Sequence, residues 1–250
     1  MKTMMKMVGV VAIGLLVAGN ASALPLQLKS GNSSTGYGPY QTGQGGEFTL
    51  TVVQGTLGLS GYSTDVINKT RGFGYNENSF QTFCIEDGSP AEYIWPNDTM
   101  DAIQSTSASW GSNYPDGDPV SQGTGWLYSQ FAKGILADYD YSGSGRHDSA
   151  GKLQQAIWLL EGEDGGAANI FTEAVSDAFK GNGNRTYGLA QAKEDGGWKY
   201  GVFALNLTVN DVHRQDQLYY DGHRVPDGGI TLALLGFAMV GLAGLRRRLS

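Results

Sequence analysis

The sequence predicts an α+β fold in which an antiparallel β-sandwich or barrel-like lobe carries an inserted helical lobe. Glycine accounts for 38 of the 250 residues and charged residues for only 16%, a composition typical of short strands joined by glycine turns. Strand-like alternation precedes and follows a region of helical periodicity. No internal repeat interrupts this order, so one α+β domain of two lobes is expected.

Two segments in the N-terminal half alternate apolar and polar residues. GEFTLTVVQ, at 46–54, shows the clearest alternation, and SFQTFCIED, at 79–87, is the second predicted strand. Even positions from 80 to 86, which include Cys84 and Glu86, share one face of that strand. The following stretch, 89–125, is expected to be mostly loop.

The helical lobe is predicted from three periodic segments. Apolar residues recur every four positions in 125–139. A second helix is expected over 149–163, with Ser149 placed to cap it, and a short third helix near 171–181. A strand over 199–209 then returns the chain to the sheet.

The N-terminus has the three parts of a secretory signal peptide, predicted to span 1–23. Lys2 and Lys6 precede an apolar run, and the small residues Ala21 to Ala23 provide a cleavage site. A glycine- and serine-rich segment, 24–45, follows. The sequence therefore predicts an exported protein.

The C-terminus has an uncharged run, 230–245, directly before three arginines. As a helix these residues span about 24 Å, slightly less than the ~30 Å hydrocarbon core of a bilayer. The arginines would remain on the cytoplasmic side. A buried terminal helix is the alternative, but it would crowd three arginines beside a helix that is apolar on every face.

This C-terminal segment, 225–250, resembles the PEP-CTERM family of sorting tails in its VPDGG-like variant. The resemblance implies recognition by exosortase, a membrane transpeptidase of Gram-negative bacteria that make extracellular polysaccharide. It also implies a transient membrane anchor, cleavage near the motif, and delivery to the cell surface or extracellular matrix. The residues that carry it are Val225, Pro226, Asp227, Gly228 and Gly229, with Arg246, Arg247 and Arg248.

The charge of the chain excludes some partners. Its net charge is −7, and loss of both ends removes more basic than acidic residues. Phosphate binding needs clustered Lys and Arg, so nucleic acid is not an expected partner. The acidic surface is compatible with amine-bearing partners, either protein or polysaccharide.

The chain has one cysteine, Cys84, although disulfides are common in exported proteins. An internal disulfide is excluded. The thiol is therefore a buried inert group, an intermolecular link or a reactive group.

Two short motifs support the third alternative. FCIE, at 83–86, and LQQAIW, at 153–158, together resemble the paired motifs of thioester domains in surface adhesins, mostly of Gram-positive bacteria. The resemblance covers 46–210, with 211–224 expected as a polar linker. It implies that Cys84 donates the thiol and Gln154 the acyl group of an internal thioester lying between the two lobes.

The same resemblance implies that the protein is not an enzyme and needs no metal or cofactor. It acts as an adhesin that forms one covalent bond with an amine on its partner. Phe83 and Trp158 would exclude water from the thioester. Glu86 or His147 could assist proton transfer, but a structural role is the preferred interpretation for both.

One feature departs from the family pattern, and a second leaves the identity of the acyl donor open. Leu153 stands where the family has threonine, so a hydroxyl is missing beside the glutamine. Gln155 is an alternative acyl donor, although on a helix it points about 100° away from Gln154.

The rival prediction is a non-reactive structural protein of the extracellular matrix with a buried thiol. A hydrolase is disfavoured because no acid/base pair or triad is evident. Asp138, Asp140 and Ser142 faintly resemble the start of a calcium loop, but position twelve is Ser149, so a solvated turn is the preferred interpretation.

Overall fold

The computed structural model describes residues 26–31, 40–42, 45–66, 78–87, 93–109 and 117–222. The predicted signal peptide, 1–23, and the predicted sorting tail, 225–250, lie outside these ranges.

The described residues form strands before and after a group of helices. The strands are β1 (Leu26–Ser30), β2 (Gln41–Thr42), β3 (Gly45–Gly46), β4 (Phe48–Gln54), β5 (Ser79–Thr82), β6 (Thr99–Ser105), β7 (Ser107–Ala108), β8 (Asp118–Pro119), β9 (Val202–Val209) and β10 (Val212–Tyr220). The helices are α1 (Gln122–Ala132), α2 (Arg146–Glu161), α3 (Ile170–Ala178) and α4 (Arg185–Ala192), with short 3₁₀ turns at Gly181–Gly183 and Gly197–Tyr200.

Six strands form one antiparallel sheet in the order β10-β9-β6-β1-β4-β5. The chain just after β5 returns to β10, where Cys84 bridges Gln217. Two backbone hydrogen bonds of 3.0 Å, from Ile85 N to Asp216 O and from Leu218 N to Phe83 O, hold this junction. The two ends of the sheet therefore meet at Cys84.

The helices pack on this sheet through one shared core. Leu127, Tyr128 and Phe131 of α1 are fully buried, as are Leu153 and Ile157 of α2. Apolar side chains from all six strands of the sheet complete the core: Leu28, Leu50, Phe80, Met100, Leu205 and Leu218. The predicted α+β fold, with helices inserted between strands of an antiparallel sheet, is confirmed.

Helix boundaries differ from the predicted ones for local reasons. Helix α1 begins at Gln122 because Ser121 caps it, accepting a hydrogen bond from Thr124 N at 3.2 Å. Helix α2 begins three residues before Ser149, and the Ser149 hydroxyl accepts a hydrogen bond from Asp140 N instead of capping the helix.

The structure corrects two predicted irregular regions. The expected loop contains β6, and the expected polar linker, 211–224, contains β10. The linker prediction was wrong because Gln215, Asp216 and Gln217 are polar yet buried at the junction of the sheet. Their burial depends on hydrogen bonds with distant segments, which the local polarity of the sequence does not reveal.

Candidate functional site

The candidate site begins with the backbone of Cys84. The two bonds that flank the Cys84–Gln217 bridge run between neighbouring residues, so Cys84 and Gln217 form a non-hydrogen-bonded antiparallel pair. In such a pair the N–H and C=O of each residue point away from the opposite strand. Cys84 therefore presents a free donor and a free acceptor toward α2.

The side chain of Gln154, on α2, satisfies both groups. Its Nε2 donates to Cys84 O at 2.8 Å, and its Oε1 accepts from Cys84 N at 3.3 Å. The carboxamide thus docks on the Cys84 backbone as a further strand would. Both residues are buried, with Gln154 only 1% exposed.

The same carboxamide lies against the sulfur. Cys84 Sγ is 3.2 Å from Gln154 Oε1. Because a carbonyl bond is about 1.2 Å long, the carbonyl carbon lies at most about 4.4 Å from the sulfur. Nucleophilic attack needs a separation of about 3–3.5 Å, so the sulfur and the carbonyl carbon lie within about 1 Å of that range.

The apolar walls around the sulfur differ from the predicted ones. Cys84 packs with Phe48 and Trp158 in a small cluster separate from the main core. Phe83 instead packs against Phe131 in the main core, with ring centroids 5.0 Å apart. The prediction that Phe83 covers the thioester was therefore wrong, because neighbouring residues on an extended chain face opposite sides.

Two glycines allow the chain to close tightly over the site. A Cβ at Gly45 would lie 2.5 Å from Gln154 Cγ and 2.9 Å from Trp158 Cη2. A Cβ at Gly165 would lie 2.6 Å from Trp158 Cε3. The Trp158 indole therefore lies between Gly45 and Gly165, and Gly45 also packs against Gln154.

The electrostatic surroundings keep the thiol protonated. Burial raises the pKa of the Cys84 thiol well above its ordinary value, and the negative charges of Glu86 and Asp87 raise it further. The Trp158 indole N–H offsets a small part of this rise. The proton therefore remains on sulfur until bond formation moves it.

Glu86 lies beside the site but does not hydrogen-bond to the sulfur. Burial raises the pKa of its carboxyl well above the usual range, with the Asp216 carboxylate adding to the rise. Glu86 Oε2 accepts a hydrogen bond of 3.0 Å from Asp216 N.

The remaining predicted residues lie farther away. His147 is exposed in the first turn of α2, and seven residues of helix place it about 10 Å along the axis from Gln154. Gln155 is exposed, whereas Gln154 is buried against Cys84. Of the two glutamines, Gln154 is the one in contact with the thiol.

The faint calcium motif forms a turn closed by its own backbone. Asp140 accepts hydrogen bonds from the N–H groups of Ser142, Gly143 and Gly145. These bonds lower the pKa of the Asp140 carboxyl. Within the described ranges, no group of three or more His, Cys, Asp or Glu side chains is arranged to hold a metal ion.

Sequence reasoning missed four residues of the site: Gly45, Phe48, Gly165 and Gln217. The alternation of 46–54 puts Phe48 in a strand, but nothing local shows that this strand passes beside Cys84. The strand-like pairing that brings Gln217 opposite Cys84 depends on β10, which was expected to be a linker.

Comparison with known protein families identifies a sorting motif at the C-terminus. Residues 224–249 match the VPDSG-CTERM motif. No curated protein and no solved structure matches the chain. Among the residues that the structure describes, none of the helices has the length and apolar character needed to cross a bilayer. The motif indicates an exported protein that an exosortase-like system processes and sorts to the surface.

Proposed function

We propose that this protein is a surface adhesin that binds its partner covalently through a thioester between Cys84 and Gln154. The observation that carries the proposal is the 3.2 Å contact between Cys84 Sγ and Gln154 Oε1. The pair is the chain's only thiol and a buried carboxamide that three contacts hold in place.

The proposed bond forms by condensation. The sulfur attacks the carbonyl carbon of Gln154, an S–C bond forms, the C–N bond breaks, and the thiol proton leaves with the nitrogen as ammonia. Burial beneath Phe48 and Trp158 supports this chemistry, since water would otherwise hydrolyse the product.

The adhesive step is the reaction of this thioester with a primary amine. The amine nitrogen attacks the carbonyl carbon, the S–C bond breaks, and an amine proton passes to the sulfur. The raised pKa of Cys84 favours return of the proton to sulfur. The products are an amide bond to the partner and a free Cys84 thiol.

The sorting motif supports the setting of this chemistry. A tail cut by an exosortase-like system leaves the domain at the cell surface. We further propose that the host is a Gram-negative bacterium and that the amine belongs to a surface or matrix partner, either protein or polysaccharide.

Two observations favour the alternative, a non-reactive structural protein of the matrix. Gln154 completes the hydrogen bonding of the Cys84 backbone, and the raised pKa of the thiol lowers its reactivity. In that case the glutamine is a strand cap and the cysteine a small buried apolar residue.

Counting thiols tests the proposal, because Cys84 is the only cysteine. The protein is unfolded in guanidinium chloride at mildly acidic pH and treated with a disulfide reagent that reacts with thiols at that pH. The thioester predicts no reactive thiol before methylamine treatment and one thiol per chain after it. One thiol per chain before treatment would leave the structural alternative.

A further inference from the structure

Two buried side-chain oxygens near Cys84 have no hydrogen-bond partner among the described residues. They are Gln217 Oε1 and Glu86 Oε1. Leaving such an atom unpaired costs about 1–3 kcal/mol, so most proteins contain few of them. An unpaired oxygen opposite the thiol can accept a hydrogen bond from a small polar group.

Gln217 is the residue among these whose side chain is fixed by the strand pairing. It lies directly opposite Cys84 in a non-hydrogen-bonded pair, and the two side chains of such a pair stand on the same face about 4.5–5.5 Å apart at Cβ. Gln217 is fully buried. Its side chain therefore stands next to the sulfur.

The orientation of the Gln217 carboxamide leaves an acceptor free. Its Nε2 donates to Gln215 O at 3.4 Å, which leaves Oε1 as a pure acceptor without a donor. An attacking amine brings N–H donors into the site, and each of these needs a hydrogen-bond acceptor. The unused acceptor and the expected nucleophile are thus complementary.

We propose that Gln217 selects nitrogen nucleophiles by accepting an N–H hydrogen bond from the amine as it attacks the Gln154 carbonyl carbon. This inference rests on the proposed function, since it concerns reaction of the same thioester. Gln217 Oε1 holds one amine hydrogen while a second passes to Cys84 Sγ as the S–C bond breaks. The Trp158 indole N–H faces the departing sulfur.

The experiment compares two nucleophiles on the same thioester. Methylamine carries N–H donors, whereas the thiolate of 2-mercaptoethanol has no hydrogen on its attacking atom. The Gln217→Met variant removes the acceptor but keeps the side-chain length. We expect methylamine to react about five- to tenfold more slowly with this variant, the loss expected for one hydrogen bond, while the thiolate reacts at the wild-type rate.

Two further variants separate this role from a general effect on the fold. Gln217→Glu keeps an oxygen acceptor, so its methylamine rate should stay within about twofold of wild type. Gln81→Met removes another buried amide, whose Oε1 already accepts from Thr49 at 2.9 Å. It should change neither nucleophile's rate.

The outcomes are distinct. Equal slowing of both nucleophiles, or an unchanged methylamine rate in Gln217→Met, would overturn the role of Gln217 while the thioester stands. A wild-type protein that reacts with neither nucleophile would overturn both the thioester and this inference. Selective slowing of methylamine, restored in Gln217→Glu, would establish Gln217 as the residue that selects the amine.

Discussion

Helix α2 is attached to the sheet side of the molecule at two buried places that differ in their hydrogen bonding. At its first residue, the Arg146 guanidinium makes two 2.8 Å hydrogen bonds to the Glu47 carboxylate and donates to the carbonyls of Asp65 and Tyr141. The ring of Tyr40 stacks on the same guanidinium at 4.3 Å. Eight residues later, Gln154 meets Cys84 among polar atoms that lack partners.

The difference separates a structural attachment from a candidate reactive one. A buried charge is stable only when it is fully paired, and Arg146 meets that requirement. A site that performs chemistry keeps unused donors and acceptors for groups that arrive during the reaction. Substitutions at the first attachment should therefore change stability, whereas those at the second should also change the state of the thiol.

The largest expected effect is the loss of Arg146. Arg146→Met leaves the buried Glu47 carboxylate without its cation, and we expect the free energy of unfolding to fall by about 3–5 kcal/mol. Urea unfolding of the purified protein measures it. Lys152→Met on the same helix is the control, because the Lys152–Asp148 pair is exposed and should contribute less than about 1 kcal/mol. Equal losses in the two variants would refute the distinction.

The next effect concerns Glu161, the last residue of α2, and depends on pH. Burial raises the pKa of its carboxyl from 4.5 to about 7, although Ser121 donates to it through N and Oγ. The folded state therefore binds the proton more tightly, so this stabilisation is complete below about pH 4.5 and is lost as the pH rises through about 7. The loss is about 3 kcal/mol.

Urea unfolding between pH 4.5 and 8 measures this loss. Glu161→Gln, which cannot ionise, should show a flatter dependence than wild type over that range. If the two proteins lose stability in parallel, Glu161 does not titrate as described, and the loss comes from other groups, such as Glu86.

A smaller effect distinguishes the two adjacent glutamines. Gln154→Ala leaves the buried N–H and C=O of Cys84 unpaired, and we expect a loss of about 2–3 kcal/mol together with one free thiol per chain. Gln155→Ala alters an exposed side chain and should change stability by less than about 0.5 kcal/mol. It should also leave the thiol blocked. A free thiol in Gln155→Ala alone would make Gln155 the acyl donor.

The smallest effect tests the covering segment at Gly45. Gly45→Ala places a methyl group 2.5 Å from Gln154 Cγ, so we expect about 1–3 kcal/mol of destabilisation and partial loss of the thioester. Gly58→Ala is the matched control, since its Cβ would meet nothing closer than 3.5 Å. Thiol counts on both variants report the outcome. An unchanged count in Gly45→Ala would show that Gln154 does not depend on this contact.

The sequence predicts the two elements that carry the proposed bond. The predicted strand ends at Thr82, but Cys84 just beyond it still pairs with Gln217 of β10, and the Gln154 segment is helical, as alternation and periodicity indicate. Alternation also puts Phe83 and Cys84 on opposite faces, a signal that could have excluded Phe83 as a wall. The contact between Cys84 and Gln154 could be expected only from the paired motifs. The two residues are 70 positions apart, and no local sequence pattern links them.

The rest of the site depends on closure of the sheet. Gln217 belongs to a polar segment of β10. This segment is buried because it pairs with Cys84 and hydrogen-bonds to Glu86. Gly45 has the sequence pattern of a turn, and only the packing of α2 explains why it lacks a side chain. Interactions between distant segments of this kind leave no periodic pattern in the sequence.

The intact mass of the protein tests the thioester most directly. Wild type and Cys84→Ala are purified at mildly acidic pH, and their intact masses are measured by mass spectrometry before and after methylamine treatment. If the thioester forms, wild type falls short of its sequence mass by one ammonia and then gains one methylamine, while Cys84→Ala shows neither change. The full sequence mass in wild type, unchanged by methylamine, would rule out the thioester and leave Cys84 as a buried, unreactive thiol.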